Sequence, residues 1–167
     1  MTAIDELVYQ LDEAFSGKGI EKSNESQSLV VNLASVGEST WREVPPGGTR
    51  TIESIVLHVG SCKVMYDDYA FGPGTLRWDS PDVEPWRRGE APLTETIDWL
   101  ERSHRRFVDH VRALDDGELA ILRKANWGEM RETRWLISVI IQHDAYHAGE
   151  INHIRSVLVG DDAWMWG

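Results

Sequence analysis

Apolar residues recur every three or four positions along most of this sequence, and this period constrains the fold more than any other feature. The clearest stripe lies between about Glu132 and Val159 and consists of Leu136, Ile140, His143, His147, Ile151, Ile154 and Leu158. Steps of three and four residues place these side chains on one face of an α-helix. Because no segment of the sequence shows the two-residue alternation of a half-buried strand, we predict an all-α protein.

Residues that start and stop helices divide the rest of the sequence. Thr2 is a predicted N-cap, and Gly17 and Gly19 interrupt the helix that follows it. The run from Pro45 to Gly48 is a second stop signal. With these boundaries, the predicted helices run from Thr2 to about Phe15, from about Ser23 to Glu38, from the N-cap Thr51 to about Phe71 and from Leu93 to Leu114.

Residues 72–92 are not predicted to be helical, because they contain Pro73, Pro81, Pro85 and Pro92 together with Gly72, Gly74 and Gly89. This stretch is too long for a tight turn between helices, so we expect a crossover connection between the second and third core helices. The pattern predicts a four-helix bundle with an extra N-terminal helical segment. The chain length favours a single domain over residues 1–167.

The charge balance excludes some classes of partner. The chain has 28 acidic and 17 basic residues, a formal net charge of −11, and its longest basic run is Arg87-Arg88. Such a surface repels nucleic acid and anionic lipid. The sequence has no apolar window of about 20 residues, and it has one cysteine, Cys62, so that no disulfide can form within it. We expect a soluble cytoplasmic protein that binds neither nucleic acid nor membranes.

Two histidines lie within the last apolar stripe. His143 and His147 are four residues apart, so both imidazoles project from one face of the predicted helix. A pair of ordinary hydrogen-bonded core histidines is the alternative to a metal site. His58 lies on a mostly apolar face with Ile55, Cys62 and Met65, and helices of a bundle converge on shared core layers. These three histidines are therefore candidate ligands, and three protein ligands leave a coordination position open.

Two segments, "GGTRTIESIVLHVG" and "LISVIIQHDAYHAGEINHIRSVL", resemble the DinB/YfiT-like superfamily of metalloenzymes over about residues 20–160. The resemblance implies a bundle of up-down-down-up order, a homodimer, and a divalent ion such as zinc or nickel on His58, His143 and His147. Many members read H-R-G-Q at the helix-four histidine, whereas this chain reads His147-Ala148-Gly149-Glu150.

The resemblance also implies a small-molecule reaction in which a low-molecular-weight thiol such as mycothiol, bacillithiol or glutathione is the cosubstrate of a transferase or isomerase. In that hypothesis Tyr66, Trp78 and Trp86 wall a pocket, and Arg87 and Arg88 attract the carboxylate of the thiol. Metal-dependent hydrolysis is an alternative function, and a non-catalytic, metal-stabilised binding or stress-response bundle is another.

Several residues have more than one interpretation. Glu150 is a candidate catalytic base, a group that orients an imidazole, or a solvated carboxylate. His104 is a candidate fourth ligand, a substrate contact or an ordinary buried histidine, and Cys62 is a candidate thiolate ligand or an ordinary packed residue. We predict surface positions for the histidines and aspartates that lie off the stripes, namely His110, His153, Asp67 and Asp68. Trp164 and Trp166 indicate a dimer, because a monomer would leave them in water.

Overall fold

A computed structural model describes residues 1–17 and 28–160. Four long helices carry the fold, and short elements connect them. In chain order the elements are α1 (Ala3–Ser16), α2 (Leu29–Leu33), α3 (Glu38–Trp41), α4 (Ile52–Phe71), α5 (Leu93–Arg112), a 3-10 segment (Asp116–Ala120), β1 (Leu122–Lys124), β2 (Met130–Glu132) and α6 (Thr133–Val159). The predicted all-α fold class is confirmed.

The predicted N-caps begin α1 and α4. The Thr2 hydroxyl accepts a hydrogen bond from the Asp5 backbone N–H at 3.0 Å, and the Asp5 carboxylate accepts one from the Thr2 N–H at 2.8 Å. Thr51 and Ser54 form the same reciprocal pair at 3.1 and 3.2 Å. Each pair satisfies N–H groups that a helix start leaves without a partner within the helix.

Side-chain contacts define the directions of the long helices. Lys63 of α4 contacts His104 of α5, and Asp67, one turn further along α4, contacts Arg106 and His110. Because residues further along α4 contact residues further along α5, the two helices run parallel. α1 runs antiparallel to α5, and α6 runs antiparallel to α4. The four long helices α1, α4, α5 and α6 therefore run up, down, down and up.

Residues 72–92 return the chain along the bundle between the two parallel helices. The Asp68 carboxylate fixes the start of this crossover by accepting a hydrogen bond from the Leu76 N–H at 2.9 Å. The Glu53 carboxylate fixes its end by accepting one from the Ala91 N–H at 3.0 Å. The prediction of a long crossover is confirmed.

The predicted solvent exposure of Asp67 and Asp68 is wrong, since these residues are only 3% and 7% exposed. Asp67 is buried because α5 supplies two partners, Arg106 Nε and His110 Nδ1, each 2.6 Å from one of its oxygens. Asp68 is buried because it holds the crossover. A helix period alone does not reveal a buried carboxylate whose partners lie on another element.

The prediction of one helix from Ser23 to Glu38 is also wrong within the described residues. Leu29–Leu33 is helical, residues 34–37 are not, and Gly37 is the N-cap of a separate short helix that begins at Glu38. Gly17 ends α1 in the left-handed conformation, at φ 68°, which glycine adopts without strain. Gly19 and residues 18–27 as a whole lie outside the described residues.

The expected absence of strands needs a small correction. Leu122–Lys124 pairs antiparallel with Met130–Glu132, with Arg123 opposite Arg131. Each strand has three residues, too few for an alternating pattern to stand out in the sequence. The hairpin leads directly into α6. In the described part of the chain, no helix is both long enough and apolar enough to cross a membrane.

Candidate metal centre

The three predicted histidines come together between two antiparallel helices. His58 lies on α4, and His143 and His147 lie one turn apart on α6, whose flanking stripe residues Ile140 and Ile151 are at most 1% exposed. One ligand nitrogen from each ring lies within 4.8 Å of the others. His58 therefore faces the pair, which helical spacing alone does not establish.

The three imidazole rings are tilted or edge to face relative to one another and are not stacked. His143 Nε2 lies 3.1 Å from His58 Nε2, and the His143 and His147 rings meet nearly edge to face at 77°. Two nitrogens bound to a tetrahedral zinc at about 2.0–2.1 Å are separated by about 3.3 Å. The spacing of His58 and His143 therefore fits two ligands of one ion.

Burial keeps the three imidazoles neutral. Burial and, to a smaller extent, the nearby His147, His58, Lys63 and Arg50 together lower the pKa of His143 to about 3. Burial is also the main reason that the pKa values of His58 and His147 fall below 6.5. A neutral imidazole has a nitrogen lone pair free to bind a metal.

His143 also has an unmet polar requirement. Its Nδ1 is buried and makes no hydrogen bond with any residue that the structure describes. A buried polar atom without a partner costs about 1–3 kcal/mol. An ion bound at Nε2 would leave Nδ1 as it is, so the three converging neutral nitrogen donors are what makes the group suited to a divalent ion.

Glu150 and Arg50 hold the third histidine in place. Glu150 Oε2 lies 2.8 Å from His147 Nδ1, and both Glu150 oxygens accept hydrogen bonds from Arg50 Nη1, at 2.9 and 3.2 Å. If Nδ1 donates to the carboxylate, Nε2 of His147 is left as the nitrogen available for a ligand bond. Arg50 was not predicted, because it lies 100 residues from Glu150 and belongs to no helical stripe.

The two candidate fourth ligands do not join the group. Cys62 Sγ is 3.8 Å from the ring nitrogens of His58, but burial raises the pKa of this thiol to about 11, which disfavours a thiolate. His104 stacks on Phe15, with ring centroids 3.8 Å apart, and its Nδ1 lies 3.2 Å from Lys63 Nζ. Among the described residues, only His58, His143 and His147 form such a cluster.

A buried ion pair lies next to the cluster, and sequence reasoning missed it. Lys63 Nζ and Asp144 Oδ2 are 2.6 Å apart, and both side chains are fully buried. Burial lowers the pKa of Lys63 and raises that of Asp144, so each group depends on the other to stay charged. The signal available in the sequence was a charged residue directly after His143, at a position that faces the core.

A cavity of about 370 Å³ opens beside His58. Its lining includes Arg88 but neither the adjacent Arg87 nor the predicted aromatic wall. The aromatic residues pack elsewhere: Tyr66 against Trp127, and Trp86 against Trp99, while Trp78 is half exposed. The prediction that Tyr66, Trp78 and Trp86 line the pocket is therefore wrong for this cavity.

The remaining histidines lie away from the cluster. His110 is half-buried rather than fully on the surface, because it binds Asp67. His153 is exposed, as predicted. Neither contributes a nitrogen to the three-histidine group.

The fold and the cluster define a class: a bundle of four long helices with a three-histidine group between two of them. The family model described as the DinB superfamily matches residues 24–151 of this chain. The chain belongs to the DinB superfamily, and the matched range includes His58, His143, His147 and Glu150. The resemblance noted from the sequence is thus confirmed. Comparison with curated proteins gave no match.

Proposed function

We propose that His58, His143 and His147 hold one divalent metal ion, zinc or nickel, and that the protein uses it in a reaction of a small-molecule thiol. The reaction would be an S-transfer or an isomerisation. The observation that carries this proposal is the convergence of three neutral imidazoles within 4.8 Å from α4 and α6. Imidazole nitrogen is a preferred ligand of both metals.

The number of ligands favours a reactive role over a structural one. Structural zinc sites are closed by four protein ligands, whereas catalytic sites have three and an open position. Among the described residues, no fourth histidine, cysteine or carboxylate joins the group. When bound, an ion with an open position lowers the pKa of a thiol or a water that coordinates it.

The residues around the centre have separable tasks in this proposal. Glu150 and Arg50 hold the His147 ring in one orientation. His58 lines the cavity, so a small molecule that enters it meets the centre from the α4 side. His147 is buried and His143 is half-buried, and the neighbouring residues Ile140 and Ile151 on α6 are part of the core.

The test uses cobalt(II) in place of the native ion, because thiol coordination to cobalt produces a charge-transfer absorption. Addition of glutathione to the cobalt-loaded protein should produce this band, and the loaded protein should transfer glutathione to an activated aryl halide with loss of halide. His143→Ala should abolish both signals, and His153→Ala should retain both. Absence of the band in fully loaded protein would contradict the thiol reaction.

A hydrolase with Glu150 as general base is the second candidate. The Glu150 carboxylate is adjacent to the centre, but it is already paired with His147 and Arg50, which favours a positioning role. Hydrolysis of activated esters by the zinc-loaded protein, lost in Glu150→Gln while zinc stays bound, would support the hydrolase instead. A loaded protein that shows neither reaction would support the non-catalytic, metal-stabilised bundle.

A further inference from the structure

We propose that the cavity beside His58 is a carboxylate subsite, in which Arg50 and Arg88 bind the carboxylate. The substrate class is then a small molecule with a carboxylate at one end and the reacting group at the three-histidine centre. This inference rests on the proposed function for the reacting end alone, since the anion subsite follows from the cavity itself.

The charge of the cavity is opposite to that of the molecule. Its lining contains three arginines and one carboxylate, Glu53, in a chain with a net charge of −11. Glu53 is paired with Arg42, whose Nε lies 3.0 Å from it, and Arg50 is paired with Glu150. Arg88 remains as the cation in excess, so the cavity is a local site of attraction for an anion.

Two of the arginines have hydrogen-bond donors to offer. Arg88 is exposed, and it makes no ion pair or hydrogen bond with the described residues. Arg50 uses only Nη1 on Glu150, which leaves Nε and Nη2 without a partner in the described part of the chain. Guanidinium groups bind carboxylates through paired, charge-assisted hydrogen bonds.

The backbone that carries Arg88 is fixed in place. The buried Glu53 carboxylate accepts hydrogen bonds from the Gly89 N–H at 2.7 Å and from the Ala91 N–H at 3.0 Å. Arg42 and the Trp41 indole both donate to the Ala91 carbonyl. The end of the crossover is thereby tied to the first turn of α4, which reduces the entropy lost when Arg88 binds a ligand.

The size and charge of the cavity limit the ligand. A volume of about 370 Å³ is at the lower end of the range of about 300–1,000 Å³ for small-molecule sites. One unpaired arginine balances one negative charge, which favours a carboxylate over a phosphate dianion. Because His58 lines the same cavity, the carboxylate and a group at the metal can belong to one molecule.

The experiment compares 3-mercaptopropionate with 3-mercapto-1-propanol, a neutral thiol of equal length, on zinc-loaded protein by calorimetry. Wild-type protein should bind the carboxylate about tenfold more tightly, the effect of one charge-assisted hydrogen bond at a partly exposed site. Arg88→Gln should reduce this preference to less than about threefold. The matched control is Arg87→Gln, which removes an equal charge next to the cavity and should keep the tenfold preference.

A second arm separates this proposal from the proposed function. Metal-free protein is titrated with propionate by NMR, and we expect binding that Arg88→Gln abolishes and Arg87→Gln preserves. If propionate binds in this way but neither thiol binds the zinc-loaded protein, the thiol reaction is wrong and the subsite is supported. If propionate does not bind, or if the two arginine variants weaken it equally, the subsite is wrong whatever the thiols do.

Discussion

The three imidazoles of the candidate centre have different surroundings. His147 has a carboxylate partner at Nδ1, whereas Nδ1 of His143 has none among the described residues. His58 faces the cavity. The ring orientation of His147 is therefore set by its hydrogen bond to Glu150, and that of His143 by packing and by its contact with His58. Loss of the Glu150 contact should affect metal binding without removing a ligand.

We predict that Glu150→Ala lowers the zinc affinity about 10–100-fold, the usual effect of losing a carboxylate that orients a ligating histidine. The measurement is competition with a chromophoric chelator. Gln142→Ala is the control, because Gln142 is exposed on the same helix and should leave the affinity unchanged. Equal affinity of the wild-type and Glu150→Ala proteins would mean that packing alone orients His147.

The pKa of His143 predicts how the stability of the metal-free protein depends on pH. The folded protein keeps this ring neutral down to about pH 3, whereas an unfolded histidine binds a proton near pH 6.5. Between these values the unfolded state holds more protons, so stability should fall as the pH falls from about 6.5. One proton changes the free energy of unfolding by about 1.4 kcal/mol per pH unit. We expect a smaller slope from His143, because its ring is partly exposed to solvent.

Urea unfolding between pH 7 and pH 4 measures this slope. His143→Gln should show a smaller loss of stability across the range, since glutamine does not titrate. His153→Gln is the control, and it should retain the wild-type slope because His153 is exposed. Parallel curves for wild type and His143→Gln would contradict the lowered pKa.

The sequence predicts the three candidate ligands, and it offers Glu150 as a group that orients an imidazole, but it does not reveal Arg50. His143 and His147 follow from helical spacing, and His58 from its apolar face. Arg50 could not be found in this way, because it lies in the loop before α4 and meets Glu150 only after α4 and α6 pack. The same holds for Asp67, whose partners lie on α5.

At the scale of elements, α4 and α5 approach closely at Gly60. A Cβ added there would overlap the ring of Trp99, which is 8% exposed and has little room to move. We predict that Gly60→Ala destabilises the protein by about 1–3 kcal/mol, the usual cost of overpacking. Gly149→Ala is the control: nothing lies within 4 Å of its added Cβ, so it should stabilise α6 by about 0.5–1 kcal/mol. Both changes are measured by chemical denaturation.

The Lys63–Asp144 pair joins α4 to α6 beneath the candidate centre. Both side chains are 0% exposed, so removal of one partner leaves an unpaired buried charge. We predict that Asp144→Ala costs about 3–5 kcal/mol of unfolding free energy, and that the double variant Lys63→Met, Asp144→Leu costs markedly less. If the single and double variants lose the same free energy of unfolding, the unpaired charge of Lys63 is not the cause of the loss in Asp144→Ala.

The element boundaries that the sequence predicts well are those with local signals. Thr2, Thr51 and Gly17 begin or end helices through contacts with residues a few positions away. The three-residue strands depend instead on pairing between segments that are separated by a turn. The break after Leu33 has no proline, and only Gly37 marks it, so helical periodicity extended the predicted helix too far.

At the scale of the whole molecule, several large apolar side chains face water. Within the described residues, Trp127, Trp135, Met130, Leu122 and Tyr146 are 40–69% exposed. Trp164 and Trp166, on which the sequence prediction of a dimer was based, lie outside the described residues. We still predict a two-fold dimer, because Trp127 and Trp135 lie against each other, with ring centroids 5.9 Å apart, and contiguous exposed apolar surface usually marks an interface. Light scattering at micromolar concentration should give twice the mass of the chain, and a monomer mass would contradict it.

The up-down-down-up order of the bundle is what brings α4 and α6 together in antiparallel directions. His58 meets His143 and His147 in that arrangement although the crossover and α5 separate their helices along the chain. The fold thus assembles one candidate metal centre from two distant segments. Each histidine should therefore be required for metal retention.

Zinc content after dialysis of wild-type, His58→Ala and His153→Ala proteins tests this claim most directly. Wild type and His153→Ala should each retain about one zinc ion per chain, and His58→Ala should retain less than about a tenth of that, because two imidazoles alone hold zinc weakly. Circular dichroism of the variants confirms that each is folded. Full zinc retention by His58→Ala would contradict the three-histidine centre.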